Sequence, residues 1–378
     1  MKPGVIILGG HVQALGIARS FGRQSIPVDI IDNTNLNITR HSKYCRKSYT
    51  VKDNQLLDLL LSFKIKDDYK NWLVFPTNDF HVKLLSQNKP ALNQHFKVTT
   101  DDWNVIRMFY NKTETYRLAQ TLNIPIAETF YPFNEKDLYN ISPAFPCIIK
   151  PAVMHNFYRK TKRKVFICKN YDELVRYYRE ASGLIPADEI IVQNIIPGPS
   201  RNQYSACFLS IDGKPFVTLT ACRMRQHPLD FGNATTYAET QTIPEIAAYA
   251  EKILKEVNYT GLCEVEFKKD ENDGQYKLLE VNPRTWKWHS IAEKAGTPFL
   301  LSYYHWLSGK NIEPVLNQSD AAFRHAITDW PGQIKLFLKG HDYAFRKKQP
   351  LVKAVWARDD KKPWLFEKLY LPSLIIVR

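Results

Sequence analysis

Two stretches near residue 270 alternate with period two and read as a pair of strands. Gly261-Leu262-Cys263-Glu264-Val265-Glu266-Phe267 and Tyr276-Lys277-Leu278-Leu279-Glu280-Val281-Asn282 flank turn residues from Asp270 to Gly274. Side chains at i and i+2 share a face, so Glu264 points with Glu266, and Glu280 with Asn282. A connecting loop with an odd residue count sets Glu266 opposite Glu280. Facing carboxylates repel across a ladder, and a divalent cation removes that objection. Mg²⁺ takes oxygen ligands, commonly one or two carboxylates completed by phosphate and water. Glu266, Glu280 and the amide oxygen of Asn282 fit that demand. The plain alternative is a solvated hairpin whose glutamates pair with Lys268 and Lys277. The apolar context and the sequel Pro283-Arg284-Thr285-Trp286 weigh against it, because an Arg there can brace a phosphoryl group as charge develops.

The 378 residues exceed one ordinary core and predict two or three lobes. An apolar content of 44% is that of a globular chain. No apolar run approaches the ~20 residues that span a bilayer, and Gly9-Gly10 cuts the first apolar stretch too short for a signal peptide. Cys45, Cys147, Cys168, Cys207, Cys222 and Cys263 form no C-x-x-C pair and read as free thiols in a reduced cytoplasm. The net charge of +14 attracts polyanions, whether nucleic acid, nucleotide, phosphorylated substrate or anionic membrane.

The first segment reads as strand Val5–Leu8, a Gly9-Gly10 turn, a helix over 12–23 and a strand over 28–31, one βαβ unit. A helix over 56–63, a strand over 72–75 and the loop Pro76-Thr77-Asn78-Asp79 follow; loops after parallel strands form binding crevices. Gly9-Gly10-His11-Val12-Gln13-Ala14 lacks the G-x-G-x-x-G spacing of a dinucleotide site. Beyond Asn111 come a helix over 112–122, short strands over 147–150 and 165–168, a helix over 171–181 and a strand over 189–196, a strand-strand-helix-strand module. Strands over 204–209 and 216–225 and a helix over 245–257 lead into the acidic hairpin. After Gly309 a basic region reads as an appended element.

At these residues the chain resembles the ATP-grasp superfamily. Leu279-Glu280-Val281-Asn282-Pro283-Arg284 is similar to its "LLEVNPR" strand, and Gly261 to Phe267 to the preceding metal strand. The resemblance covers roughly residues 1 to 310. In detail it is to predicted ATP-dependent carboxylate–amine ligases, with D-aspartate ligases as relatives, through Phe157 to Lys162, Arg223 to Pro228 and Phe231 to Glu239. It implies an α/β and α+β ATP-grasp fold. Residues 1–108 would form a Rossmann-like pre-ATP-grasp domain and 109–310 the ATP-grasp domain, with a lid at about 145–197, and 311–378 a C-terminal extension. It implies ATP and Mg²⁺, with Mn²⁺ admissible, held on Glu266, Glu280 and Asn282. Lys112 and Lys150 would contact ATP, backbone groups of Asn194 and Ile196 the adenine edge, and Gln193 its amino group. Arg284 would steady an acyl phosphate. Two departures stand out. The lid segment from Met154 to Lys164 has no Gly and offers Arg159, Lys160, Lys162, Arg163 and Lys164 to grip phosphates, or to form a solvated basic strand. Asn194 stands where many relatives carry Glu.

Arg223 and Arg225 share a strand face and are candidates for phosphate or substrate carboxylate, Arg225 with a catalytic part. Thr235, Thr236 and Glu239 read as a Gly232-containing loop able to close on substrate. Asn78 and Asp79, with Thr77, are candidates for the amine substrate or are turn caps. His11 and His227 read as structural, and Trp286 and Trp288 as packing or substrate stacking. The resemblance thus implies a cytoplasmic ligase joining a carboxylate, an amino acid foremost, to an amine through an acyl phosphate. Its partners would be small molecules, with a cell-wall or polysaccharide precursor as candidate and the oligomeric state open. The rivals are another ATP-grasp enzyme, a kinase or carboxylase-like protein, and a basic nucleic-acid binder, for which no reading module is present.

Overall fold

The computed structural model describes residues 3–63, 67–229, 232, 234–338 and 349–376, without the side chains of Asp67, His155, Asn156, Arg159 and 372–376. Phe231, within one of the family-like stretches, lies outside the described residues. Three sheets organise the chain. The first is parallel, in the order β3-β2-β1-β4-β5, from β1 Val5–Leu8, β2 Val28–Asp32, β3 Cys45–Thr50, β4 Leu73–Pro76 and β5 Lys97–Val98. β1 and β4 are buried throughout, as strands covered on both faces must be. The Gly9-Gly10 turn after β1 is closely packed. Gly9 has φ +100°, and a Cβ there would meet Thr77 Oγ1 at 2.2 Å; one on Gly10 would meet Asn37 at 2.4 Å.

The lid is a four-stranded antiparallel sheet, β6 Thr129–Phe130, β7 Cys147–Pro151, β8 Phe166–Cys168 and β9 Ile190–Asn194, in the order β6-β9-β7-β8. Helix Tyr171–Ser182 covers it with Leu174, Tyr178 and Ala181. The Gly-free segment between β7 and β8 is neither a loop nor a strand but helix Met154–Thr161, which ends where Lys162 turns left-handed at φ 55°. Phe157, fully buried in the lid core, anchors it, so the module reads strand-helix-strand-helix-strand.

The third sheet has the order β14-β13-β10-β11-β12-β15-β16. It comprises β10 Gln203–Ile211, β11 Lys214–His227, β12 Ala234–Thr240, β13 Gly261–Lys269, β14 Tyr276–Asn282, β15 Ala322–Arg324 and β16 Leu351–Lys353. Alternation along β13 decides what each face meets. Cys263, Val265 and Phe267 pack with helix Pro244–Glu256, whereas Glu264 and Glu266 face the other way.

Two expectations fail in this sheet. Residues 311–378 do not stand apart, because β15 and β16 complete the sheet edge beside β12. Thr235, Thr236 and Glu239 lie buried on strand β12 rather than in a loop. The reason is non-local: β15, more than eighty residues away in sequence, supplies the second pairing partner of β12. A buried ion pair fastens this addition. Both oxygens of Asp329 accept from Arg225, at 2.7 and 2.9 Å, and Arg324 and Thr236 donate to the same carboxylate. Asp329→Ala leaves Arg225 buried without its carboxylate and should cost about 3–5 kcal/mol of stability. Urea denaturation read on wild type and variant checks this; an unchanged midpoint would refute the fastening role.

Candidate functional site

Across β13 and β14 the register places Glu264 opposite Asn282 and Glu266 opposite Glu280, with a bulge just beyond Glu266. The acidic pairing expected from the alternation is therefore present. In the structure cations separate the two carboxylates. The Arg223 guanidinium donates to Glu266 Oε2, and Lys112 Nζ donates to Glu280 Oε2 at 2.6 Å. Asn282 sits between, its Nδ2 3.1 Å from Glu266 Oε1 and its Oδ1 accepting from Arg284 Nη2 at 3.0 Å. Arg284 also donates through Nε to Asp79 at 2.7 Å, tying the first lobe to the central sheet. Asn111 caps helix Lys112–Thr121 through Thr113 N–H, and this cap fixes where Lys112 leaves the helix.

One turn on, Tyr116 extends the cluster. Its hydroxyl donates to Leu279 O at 2.7 Å and accepts from Lys150 Nζ at 2.5 Å. Lys150 also donates to Gln193 Oε1 at 2.6 Å, and Gln193 Nε2 donates to Thr129 Oγ1. Tyr116 was not singled out from sequence; its position four residues after Lys112, on one helix face, was the available signal.

The electrostatics are strongly perturbed. Lys112, then Lys164, hold Glu280 far below the usual carboxylate range despite its burial. Burial lowers the Lys164 ammonium, which feels Glu280 and Glu266. Burial pushes Glu264 up to about 8, with the charge of Glu266 adding to it and Arg223 opposing. Ser205 and Trp288 Nε1 donate to Glu264 Oε1 at 2.9 and 3.1 Å, which makes Trp288 a buried packing and hydrogen-bonding residue. The cluster thus sets Lys112, Lys164, Arg223 and Arg284, with the lowered ammonium of Lys150 beside them, against Asp79, Glu266, Glu280 and a Glu264 whose carboxyl burial pushes up. That surplus of positive charge in a partly desolvated cleft suits a polyphosphate.

Other expected residues lie elsewhere. Arg225 belongs to the Asp329 pair, not to this cluster, because bulges in β11 around it break the register. Lys160 Nζ donates to Leu184 O, on the lid's own backbone, and the Arg159 side chain is outside the described residues. Asn78 caps helix Asp79–Gln87 through His81 N–H. Asn194 donates to Glu128 and accepts from Ala144 N–H, while Ile196 O accepts from Lys268 at 2.6 Å. Thr236 is held by Asp329. Among the described residues no three His, Cys, Asp or Glu side chains form a metal-binding group, so the oxygen set here is two carboxylates and an amide.

Comparison with known proteins bears on the fold. Residues 218–310 match the family described as carbamoyl-phosphate synthase L chain, ATP binding domain. The D-aspartate ligase of Enterococcus faecium is 26% identical over 306 residues, covering 74% of this chain and 70% of that protein. The L-amino acid ligase of Bacillus licheniformis superposes with a TM-score of 0.63 at 16% identity, over 82% of this chain and 77% of that one. The ADP complex of N5-carboxyaminoimidazole ribonucleotide synthetase gives 0.64 at 15% identity, over 93% and 91%. The chain has the ATP-grasp fold. The sequence match over most of the chain is to a ligase, and the superpositions show the fold that it shares.

Lys150 offers a test of the cleft's electrostatics. Burial, then the neighbouring Lys112 charge, push its ammonium down to about 7. Above that value the unfolded chain binds the extra proton, so stability rises with pH until the ordinary lysine range is reached. Burying the charged form is therefore most costly at or below neutral pH. The melting temperature of Lys150→Met minus that of wild type should fall as pH rises from about 6 to 9. A pH-independent difference would contradict the depressed value.

Proposed function

We propose that the protein is an ATP-dependent carboxylate–amine ligase that activates its carboxylate, an amino acid foremost, as an acyl phosphate. The observation that carries this is the Glu266–Glu280 opposition, with Asn282 beside it and Lys112, Lys164, Arg223 and Arg284 around it. The donor set fits a hard divalent cation, because all three groups offer oxygen and two are carboxylates. Glu266, Glu280 and Asn282 would hold Mg²⁺, which when bound neutralises phosphate charge. Lys112 and Lys164, which hold Glu280, would also be within the cleft to contact phosphate oxygens. Lys150, kept in place by Tyr116 and Gln193, would contact the nucleotide between its inner phosphate and base. The β9 end at Asn194 and Ile196 would line the adenine edge once Ile196 O is freed from Lys268 and Asn194 N–H from Glu128 O.

In the first step a carboxylate oxygen of the substrate bonds to the γ-phosphorus and the bond to the β–γ bridging oxygen breaks, releasing ADP. Arg284, fixed by Asp79 and Asn282, stabilises the charge on the transferring group. In the second step an uncharged amine attacks the acyl carbon, the carbon–nitrogen bond forms, phosphate leaves and the nitrogen loses a proton. Little covalent work falls to the protein; positioning and charge neutralisation supply the rate. Asp79, which holds Arg284, and the loop after β4 would orient the amine. Substrates are small molecules, with a cell-wall or polysaccharide precursor as a candidate acceptor, and the setting is cytoplasmic.

The test uses ATP labelled with ¹⁸O at the β–γ bridge, incubated with pooled N-acetylated amino acids, which supply carboxylate without a nucleophilic amine. Scrambling of the label into the β-phosphate's non-bridging positions is expected, with carboxylate dependence. Arg284→Ala should slow it by roughly 10²–10³. ADP release that depends on bicarbonate alone, or phosphoryl transfer to a hydroxyl with no amide product, would replace this reading with a carboxylase-like or kinase activity.

A further inference from the structure

The C-terminal elements that complete the central sheet turn an unusual face outward. In helix Ala326–Leu338 the inward positions are Asp329 and Gly332, both buried. The outward stripe is apolar: Trp330, Ile334, Phe337 and Leu338, at spacings i, i+4, i+7 and i+8. Phe337 and Leu338 are 80% and 78% exposed, far beyond what a water-facing helix side carries by accident. The helix Lys362–Ile376 repeats the pattern. Leu365 and Leu369 are exposed one turn apart, flanked by exposed Lys361 and Lys368, and the Lys368 ammonium lies 3.6 Å from the Trp364 ring centroid. His325, at the start of the first helix, and Glu367, in the second, share a hydrogen bond of 2.5 Å that holds the two together.

Charge says what covers this face. Among the described residues from 330 onward, six Lys and Arg stand against three Asp and Glu. All three acids are already engaged: Asp359 and Asp360 pair with Arg23 and Arg19 of the first lobe, and Glu367 with His325. A second copy docking by the same face would bring this positive surface against itself. An anionic lipid surface meets both demands, taking the apolar side chains into its headgroup boundary while its phosphates neutralise the lysines. Exposed tryptophans suit that boundary as well, being amphipathic rings. No helix among the described residues is long and apolar enough to cross a membrane, so the contact is peripheral.

We propose that the outward face of residues 326–338, together with the exposed side chains of residues 361–369, docks the protein on an anionic membrane surface. This docking is independent of which amine the cleft uses.

The full chain would be sedimented with vesicles of phosphatidylcholine alone and of phosphatidylcholine mixed with phosphatidylglycerol. Binding should be about tenfold or more tighter to the mixed vesicles and weaken with added salt. Phe337→Ser with Leu338→Ser should weaken it about tenfold. Lys361→Glu with Lys368→Glu should abolish the preference for the anionic lipid while retaining the wild-type melting curve, which separates lost docking from lost folding. Equal binding to both vesicles, or no binding to either, would overturn the proposal. So would a concentration-dependent dimer in light scattering that the serine pair abolishes, which would make the face a self-interface.

Discussion

Two carboxylates opposed across a β-ladder are the constraint around which the rest of this molecule is arranged. Glu266 and Glu280 face each other because β13 and β14 pair in a fixed register, and their charges repel at that distance. Everything that makes the pairing tolerable comes from elsewhere. Lys112 arrives from the helix that follows the first lobe, Lys164 from the lid, Arg223 from β11, and Arg284 from the turn after β14. Asp79, from the first lobe, then holds Arg284. Each lobe contributes a charge to one cleft, so the cleft depends on their mutual docking. The cations that balance the carboxylates are also the groups that a nucleotide's phosphates would call upon.

Much of this was legible from the alternation alone. A one-residue slip in a strand moves every side chain to the other face, and the buried set Cys263, Val265 and Phe267 admits only one choice, which fixes the acids together. Lys112 and Lys150 came from resemblance, and the structure brings both near Glu280. What sequence missed was non-local. Nothing in Ala234 to Thr240 announces that β15 will pair with it, so a strand with buried threonines read as a loop. The basic run from Met154 to Lys164 read as a loop or strand because Phe157 is its one strong apolar anchor; the structure makes it a helix, with Lys160 turned to the lid backbone and Lys164 to the cleft. Arg225 looked equivalent to Arg223 by spacing, and bulges in β11 send it to Asp329 instead.

The C-terminal residues are as much part of the central sheet as the acidic hairpin is. They bury Asp329 against Arg225 on one side and expose an apolar, cationic face on the other. One helix therefore carries both the buried ion pair and the exposed face.

The central claim is that the opposed glutamates hold a metal–nucleotide complex. Isothermal titration of ATP, with and without Mg²⁺, into wild type and a Glu266→Gln, Glu280→Gln double variant tests this directly. The account predicts tight Mg²⁺-dependent binding to wild type. It also predicts that the double variant loses the Mg²⁺ dependence while keeping some metal-free affinity, since its lysines and arginines remain. Binding of ATP that is indifferent to Mg²⁺ in wild type, or equally Mg²⁺-dependent in the double variant, would contradict it.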